Sequence, residues 1–347
     1  MEPIVRNAVL MVLSYKLMFS PESRLNGIAP VQVSKRILMI RPGALGDTLL
    51  TIPALAGLPE NAEIALTGRG PGLYFARRWA SEIQDMEGPG WYRLFSHERH
   101  SDALPLTLKP DLVLALFNNP PAALEKNLRS YFPHADLFIM PSLPPQNLPV
   151  HVAEHIATCL AQAGLMIDPA RAMKHALSRA LLRPALPPED RKRFVFHPGS
   201  GSPKKNLSLS FWVDLVRRLS LFKAFEGTRP ICLLGPAEYA ARHPFLSTPP
   251  DGIETVLCQE PEPMETLLST ACLYLGHDSG VTHLAAMMGL PTVAFFQSPN
   301  QTLWRPLGPC VTILSKEPSE KRLLSKTLDA LADVSGRTGR PLLSCQP

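Results

Sequence analysis

No stretch of this 347-residue chain carries enough uninterrupted apolar residues to span a bilayer, so a membrane-crossing helix is excluded from its sequence. Charge is sparse at 19% of residues, and the net balance of +5 is only mildly basic. No extended basic run is interleaved with aromatics, which argues against nucleic acid as a partner. Several signatures are missing altogether. There is no G-x-G-x-x-G dinucleotide fingerprint, no G-K-[ST] ending of a P-loop and no G-x-S-x-G nucleophile elbow. None of the six cysteines forms a C-x-x-C pair, and several stand in apolar runs. Buried free thiols in a reducing compartment are the reading that fits.

What the chain does have is proline. Its 37 prolines cluster in connections such as 141–149 and 184–188, where they read as rigid loops. A 45% apolar content is that of a globular protein, and the length suggests two domains. Residues 1–34 read as a poorly structured or weakly amphipathic extension, with a membrane-touching helix as the alternative.

Regular alternation begins at Lys35. Ile37 to Arg41 is a short apolar run ending in Pro42-Gly43, and Leu45 to Leu58 carries apolar residues at helical spacing. Strand-like runs follow at 63–67, 111–117 and 135–140, then a helix at 150–163. A stretch rich in proline and charge, 165–192, reads as the linker between domains. The alternation then restarts with strands at 194–197, 230–234 and 253–257 and helices at 209–222, 264–269 and 319–333. Strands alternating with helices in two blocks predict two parallel-sheet α/β domains that face each other. The boundaries are 1–34 extension, 35–180 first domain, 181–335 second domain and 336–347 tail. Ligands in such sheets bind beyond the carboxyl ends of strands, where each glycine-rich turn here falls.

The most informative stretch is Tyr274 to Gly289, YLGHDSGVTHLAAMMG, which reads as strand, sharp turn and helix. Asp278, Ser279 and Gly280 stand where the helix begins. Backbone N–H groups at a helix start lack internal partners, and with the helix dipole they form a ready anion site. Gly280 permits close backbone approach and Ser279 adds a hydroxyl. Asp278 would repel a phosphate and suits sugar hydroxyls instead, so the ligand carries both phosphate and sugar. His283, five residues after Asp278, either holds the turn as a neutral buried side chain or donates to a phosphate oxygen.

Three further turns carry chemistry. In Arg41-Pro42-Gly43-Ala44-Leu45-Gly46-Asp47, Asp47 is either a helix first-turn carboxylate or a general base, a role worth roughly 10²–10⁴ in rate. Arg41 is either an acceptor-binding cation or an ion-pair partner. In His197 to Asn206, HPGSGSPKKN, the small residues expose backbone N–H groups, Ser200 adds a hydroxyl and Lys205 a cation, either a set suited to a diphosphate or a flexible surface loop with solvated lysines. Glu238, in the Gly235-Pro236-Ala237-Glu238 turn, either accepts from a nucleoside or caps a helix. Metal ligation has no support in the histidine and carboxylate spacing.

Together these stretches resemble glycosyltransferase family 9, the lipopolysaccharide heptosyltransferases. The matching text is ILMIRPGALGDTLLTIPAL, HVAEHIATCLAQAGL, FVFHPGSGSPKKNLSLSFWVDLVRRL, LLGPAE and YLGHDSGVTHLAAMMGLPTVAFF, over about residues 35–335. The resemblance implies a GT-B architecture of two facing Rossmann-like domains, acceptor side first and nucleotide-sugar side second. It implies inverting transfer of heptose from ADP-heptose to a lipopolysaccharide core acceptor, without metal or other cofactor. The place implied is the cytoplasmic face of the membrane, with peripheral association. Under it Asp47 is the base, Arg41 an acceptor-side residue and Lys205 a donor-phosphate ligand. Asp278, Ser279, Gly280 and His283 then surround the donor. The chain departs from the family pattern at Gln297-Ser298 and at Asn118-Asn119. Competing readings are a sugar-nucleotide-binding protein without catalysis and a GT-B epimerase, which needs no acceptor.

Overall fold

The computed structural model describes residues 35–337 apart from Arg99, residues 183–190 and Pro299. The expected extension at 1–34 therefore lies outside the described residues, as do 338–347 of the expected tail.

The apolar runs form eleven strands in two sheets. The first sheet holds β1 (Arg36–Ile40), β2 (Glu63–Gly68), β3 (Glu82–Asp85), β4 (Leu112–Leu116) and β5 (Asp136–Met140) in the order β3-β2-β1-β4-β5. The second holds β6 (Arg193–His197), β7 (Arg229–Leu234), β8 (Glu254–Leu257), β9 (Ala271–His277), β10 (Thr292–Phe296) and β11 (Val311–Ser315) in the order β11-β10-β9-β6-β7-β8. Every pairing is parallel. Both orders reverse direction beside their first strand, at β1/β4 and at β6/β9, and such a reversal opens a crevice at the carboxyl ends. The central strands β4, β9 and β10 are buried along their whole length, as continuous apolar runs require when helices cover both faces. This is the doubly wound α/β architecture expected from the alternation.

Several elements differ from the sequence reading, each for a local reason. The helix expected over 45–58 is two helices, α1 (Leu45–Leu49) and α2 (Ile52–Ala56). Pro53 lies in the first turn of α2, where its missing N–H is harmless, but it cannot continue the ladder of α1. The edge strand β3, with the sequence EIQD, is too polar and too short to announce itself. Within the stretch taken as linker lies a helix, Pro169–Ser178, capped by Asp168, whose Oδ1 accepts from the Ala170 and Arg171 N–H groups at 3.0 and 3.1 Å. Four of the cysteines (159, 232, 258 and 272) are buried free thiols as expected, whereas Cys310 takes part in a disulfide.

The two sheets belong to halves that touch. One continuous apolar cluster runs from Met39 and Leu49 through to Val281, Leu284 and Leu307. Polar links cross the same seam. Tyr74 donates to Glu265 at 2.9 Å. His151 Nδ1 accepts from Ala153 N–H, so Nε2 carries the proton and donates to the Arg305 carbonyl at 2.9 Å.

Candidate functional site

The site forms where the carboxyl end of β1 meets those of β6 and β9. After β1 the chain turns through Pro42–Ala44 into α1. Gly43 is needed there, because a Cβ would lie 2.2 Å from the Asp47 Cβ. Asp47 is held at both oxygens. Oδ1 accepts from Arg41 Nη2 at 3.1 Å, and Oδ2 accepts from the Ala44 N–H at 3.1 Å, closing the first turn of the helix. The Asp47 side chain keeps 30% of its surface exposed while Arg41 keeps 4%. Arg41 is thus not open to a ligand. Its guanidinium is buried behind Asp47, its Nε has no hydrogen-bond partner, and burial lowers its pKa against the raising effect of Asp47.

After β9 the chain turns through Asp278 and Ser279 into α3, the helix Gly280–Met287. The N–H groups of Ser279, Gly280 and Val281 meet no acceptor among the described residues, as the start of a helix requires. Thr282 ties this turn down. Its hydroxyl donates to the His277 carbonyl and lies 3.2 Å from both the Tyr274 and the Ser279 hydroxyls. Gly280 faces the first half of the molecule, where a Cβ would come within 2.9 Å of Leu45 Cβ and Cγ and 3.0 Å of the Gly46 nitrogen. The glycine expected to admit a ligand therefore also admits α1. That close approach sets the Asp47 turn against the start of α3.

The loop after β6 closes the other side. Lys205 Nζ lies 2.8 Å from Asp278 Oδ2, so the cation and the carboxylate singled out from separate motifs form one ion pair. Ser200 turns inward, with its hydroxyl 2.8 Å from the Ser202 carbonyl and 2.6 Å from Asn206 Oδ1. Beneath the loop lies Glu238, buried at 6% exposure, accepting from the Gly235 N–H at 2.8 Å and lying 3.3 Å from His197 Nε2. Burial pushes its pKa up, but His197 and the backbone donors outweigh that and hold it at about 2. A Cβ on Gly199 would fall 1.8 Å from Glu238 Oε1, so the two turns interlock. Glu238 supports the loop from below and is largely buried.

His283 is buried, its Nδ1 has no partner, and burial together with His151 lowers its pKa to about 3, so it is neutral. Its Cδ2 lies against the space beside Gly46. One residue was not singled out in the sequence. His277, the last residue of β9, accepts from Leu207 N–H on Nε2 at 2.9 Å, and its Nδ1 faces the Gly199 carbonyl at 3.3 Å. It fastens the Lys205 loop at both ends. Burial, helped by His197, keeps it neutral with a pKa of about 4. A polar residue closing an otherwise buried apolar run was its only sequence signal.

The chain's first half contributes a cavity of about 770 Å³ at the carboxyl ends of β1 to β4, lined in part by Pro42, Arg69, Phe117 and Asn119. Pro42 belongs to the same turn as Asp47. Among the described residues no group of three or more His, Cys, Asp or Glu is placed to hold a metal ion, and no helix is long and apolar enough to cross a membrane.

Comparison with known proteins places this architecture. Residues 168–330 match the sequence profile of glycosyltransferase family 9 (heptosyltransferase). Three solved structures share the fold. Escherichia coli ADP-heptose lps heptosyltransferase II is 17% identical with a TM-score of 0.60, over 88% of this chain and 100% of that one. The E. coli heptosyltransferase WaaC with ADP is 13% identical with a TM-score of 0.59, over 86% and 99%. A family 9 glycosyl transferase from Veillonella parvula DSM 2008 is 17% identical with a TM-score of 0.57, over 85% and 89%. No curated protein matches the chain by sequence. The expected GT-B fold is the observed one, and the expected family is the one matched.

Proposed function

We propose, for a glycosyltransferase whose second half is a family 9 domain, that it moves heptose from ADP-heptose onto a lipopolysaccharide core or related glycan acceptor with inversion. The observation that carries this reading is the packing of Gly280 on Leu45 and Gly46, which brings a partly exposed carboxylate beside an unpaired helix start. The fold is shared with E. coli heptosyltransferase WaaC solved with ADP-2-deoxy-2-fluoro heptose, which supports the choice of donor.

In this reading the donor diphosphate rests on the free N–H groups of Ser279, Gly280 and Val281, favoured by the dipole of α3. Lys205 completes the site. Its contact with Asp278 is partly in water, since 38% of the Lys205 side chain is exposed, and such pairs are worth about 1 kcal/mol or less. Charge-assisted hydrogen bonds to a phosphate are worth about 1.5–3 kcal/mol, so Lys205 turns to the diphosphate and frees Asp278 for sugar hydroxyls. Asp47 takes the proton of the acceptor hydroxyl. The acceptor oxygen bonds to the anomeric carbon as the bond to the diphosphate breaks, and the nucleoside diphosphate leaves with both electrons. Arg41, from behind, and the Ala44 N–H keep the carboxylate aimed, while Ser200, Glu238 and His277 shape the loop that carries Lys205. His283, neutral, packs under the turn. No metal or other cofactor has a part in this scheme. The reading sets the enzyme at the cytoplasmic membrane face, where a glycolipid acceptor would be reached by peripheral association. It also makes residues 35–180 the acceptor side and 181–335 the donor side.

A melting series with nucleoside diphosphates tests the donor site. ADP at about a hundred times its Kd should stabilise the protein by about 2.7 kcal/mol, and Lys205→Ala should weaken that response. If no nucleoside diphosphate moves the transition, the donor assignment fails.

A further inference from the structure

A second cavity, of about 520 Å³, opens at the amino ends of β1, β4 and β5, the far end of the first sheet from the Asp47 turn. One wall is the strap 103–111, where Leu104, Leu106 and Leu108 recur at every second residue. The strap is tied down along its length. Glu82 accepts from the Thr107 and Leu108 N–H groups at 2.9 and 2.8 Å, and the Ala103 carbonyl accepts from Arg93 Nη1 at 2.8 Å. The other wall is 131–135, which carries Phe132 just past the helix Leu124–Tyr131. Leu104 is buried, but Leu106, Leu108 and Phe132 are only half-buried, so apolar surface borders the opening.

This lining selects an apolar occupant. Its ion pair is closed on itself. Arg36 Nε and Nη2 donate to the two Asp111 oxygens at 3.0 and 2.6 Å, and the Arg36 N–H donates to the same carboxylate at 3.0 Å. Pro110 and Pro133 supply no N–H. Lys109 and His134 are exposed, where water satisfies them. Among the described lining residues no buried side-chain polar atom lacks a partner. A polar ligand would therefore lose its own water without gaining hydrogen bonds in return.

Where the chain enters decides what the occupant is. The described residues begin at Lys35, and its neighbour Arg36 lines the cavity, so residues 1–34 lead off from the rim. That segment carries the run Ala8-Val9-Leu10-Met11-Val12-Leu13, uncharged and flanked by Arg6 and Lys16. Residues 14–34 are the link back to Lys35, and a coil of that length spans roughly 25 Å, ample to return to the rim. Such a tether keeps the run at an effective concentration of about millimolar. An acyl chain or a second copy would fit the same walls but must arrive from solution.

We propose that the run Ala8–Leu13 docks back into this cavity, seating its leucine and methionine side chains between the leucine strap and Phe132. The docking does not depend on the transfer reaction proposed above.

The test uses the full chain with photoreactive p-benzoylphenylalanine in place of Leu10 or of Val12, irradiated and mapped by mass spectrometry. Adducts should fall within the same molecule on 103–111 or 131–135. Leu106→Asp should cut those adducts and speed tryptic cleavage after Lys16, each by about tenfold, because cleavage follows the undocked fraction. Leu221→Asp, at a site 85% exposed in the second half, should change neither. Urea unfolding checks that Leu106→Asp still folds, and if it does not, the adducts of the chain with Leu106 intact decide alone. Adducts that map elsewhere on the chain overturn the inference. So do adducts joining two differently tagged copies, adducts to phosphatidylglycerol vesicles in place of the cavity, or a folded Leu106→Asp chain with unchanged adducts and cleavage.

Discussion

Two glycines face each other across the seam between the halves, and the geometry assigns them opposite tolerances. A Cβ added to Gly280 would come within 2.9 Å of Leu45 Cβ and Cγ and 3.0 Å of the Gly46 nitrogen. Carbon atoms in contact prefer about 3.5–4.0 Å, so α1 and α3 must separate by roughly 1 Å. Leu45 Cβ and the Gly46 backbone cannot rotate away, so the strain cannot be shed through a rotamer. Overpacking of this kind costs about 1–3 kcal/mol. A Cβ on Gly46 would instead lie 3.4 Å from both Gly280 Cα and His283 Cδ2, which is ordinary contact. Gly46 sits inside α1, where alanine in place of glycine gains about 0.4–1 kcal/mol. Urea unfolding followed by tryptophan fluorescence should therefore rank Gly46→Ala at or above the parent protein and Gly280→Ala below it, with equal slopes. Because α1 carries Asp47, a displacement of about 1 Å should also slow nucleoside diphosphate release in Gly280→Ala by about 10²-fold. A Gly280→Ala protein as stable and as fast as Gly46→Ala would refute the close approach of the two turns, and with it the placement of Asp47.

Three more outcomes follow from the site. Asp47→Asn should lower turnover by roughly 10²–10⁴ while leaving the melting response to ADP in place, and a variant with normal turnover would remove the base. Gly199→Ala should destabilise the protein in urea far more than Gly201→Ala, since its Cβ would fall 1.8 Å from Glu238 Oε1 whereas that of Gly201 meets nothing within 4 Å; equal midpoints would contradict the interlocked turns. Stability should also fall with acid. His277 and His283 have folded pKa values of about 4 and about 3, below the unfolded value of 6.5, so the unfolded chain takes up their protons first. Their contribution is complete above about pH 6.5 and is lost as the pH falls toward 4, by up to about 1.4 kcal/mol per unit for each histidine. Urea midpoints between pH 7 and 4.5 measure this, and a His283→Gln protein with the same pH slope would show that the buried ring does not titrate on unfolding.

The cavity of about 770 Å³ in the first half was the least legible feature in sequence. Tyr92 in the short 3-10 helix Trp91–Leu94, Phe95 just after it and Phe117 just after β4 are scattered aromatics, and no periodicity joins them. The glycine turns of the second half were legible because glycine, serine and a following helical pattern lie within a dozen residues of each other. Lys205 and Asp278 were each visible in this way, but their pairing across 73 residues was not. Arg41 and Glu238 show the reverse. Each was open between a ligand-facing and a structural role, and sequence could not show that both side chains are buried, Arg41 against Asp47 and Glu238 against the Gly235 N–H.

Local pattern settled what depends on neighbours in the chain: the central strands, whose apolar runs reflect burial on both faces, the glycine turns, the α/β class and the family of the second half. Tertiary structure decided what depends on partners far away. The register of the halves brought Gly280 onto Gly46, and sheet order set Glu238 under Gly199 and gathered three aromatics around one cavity. The physical reason is range. Backbone preference and hydrophobic period act within a few residues, whereas an ion pair, a buried contact or a cavity exists only once two sheets have fixed which loops lie side by side.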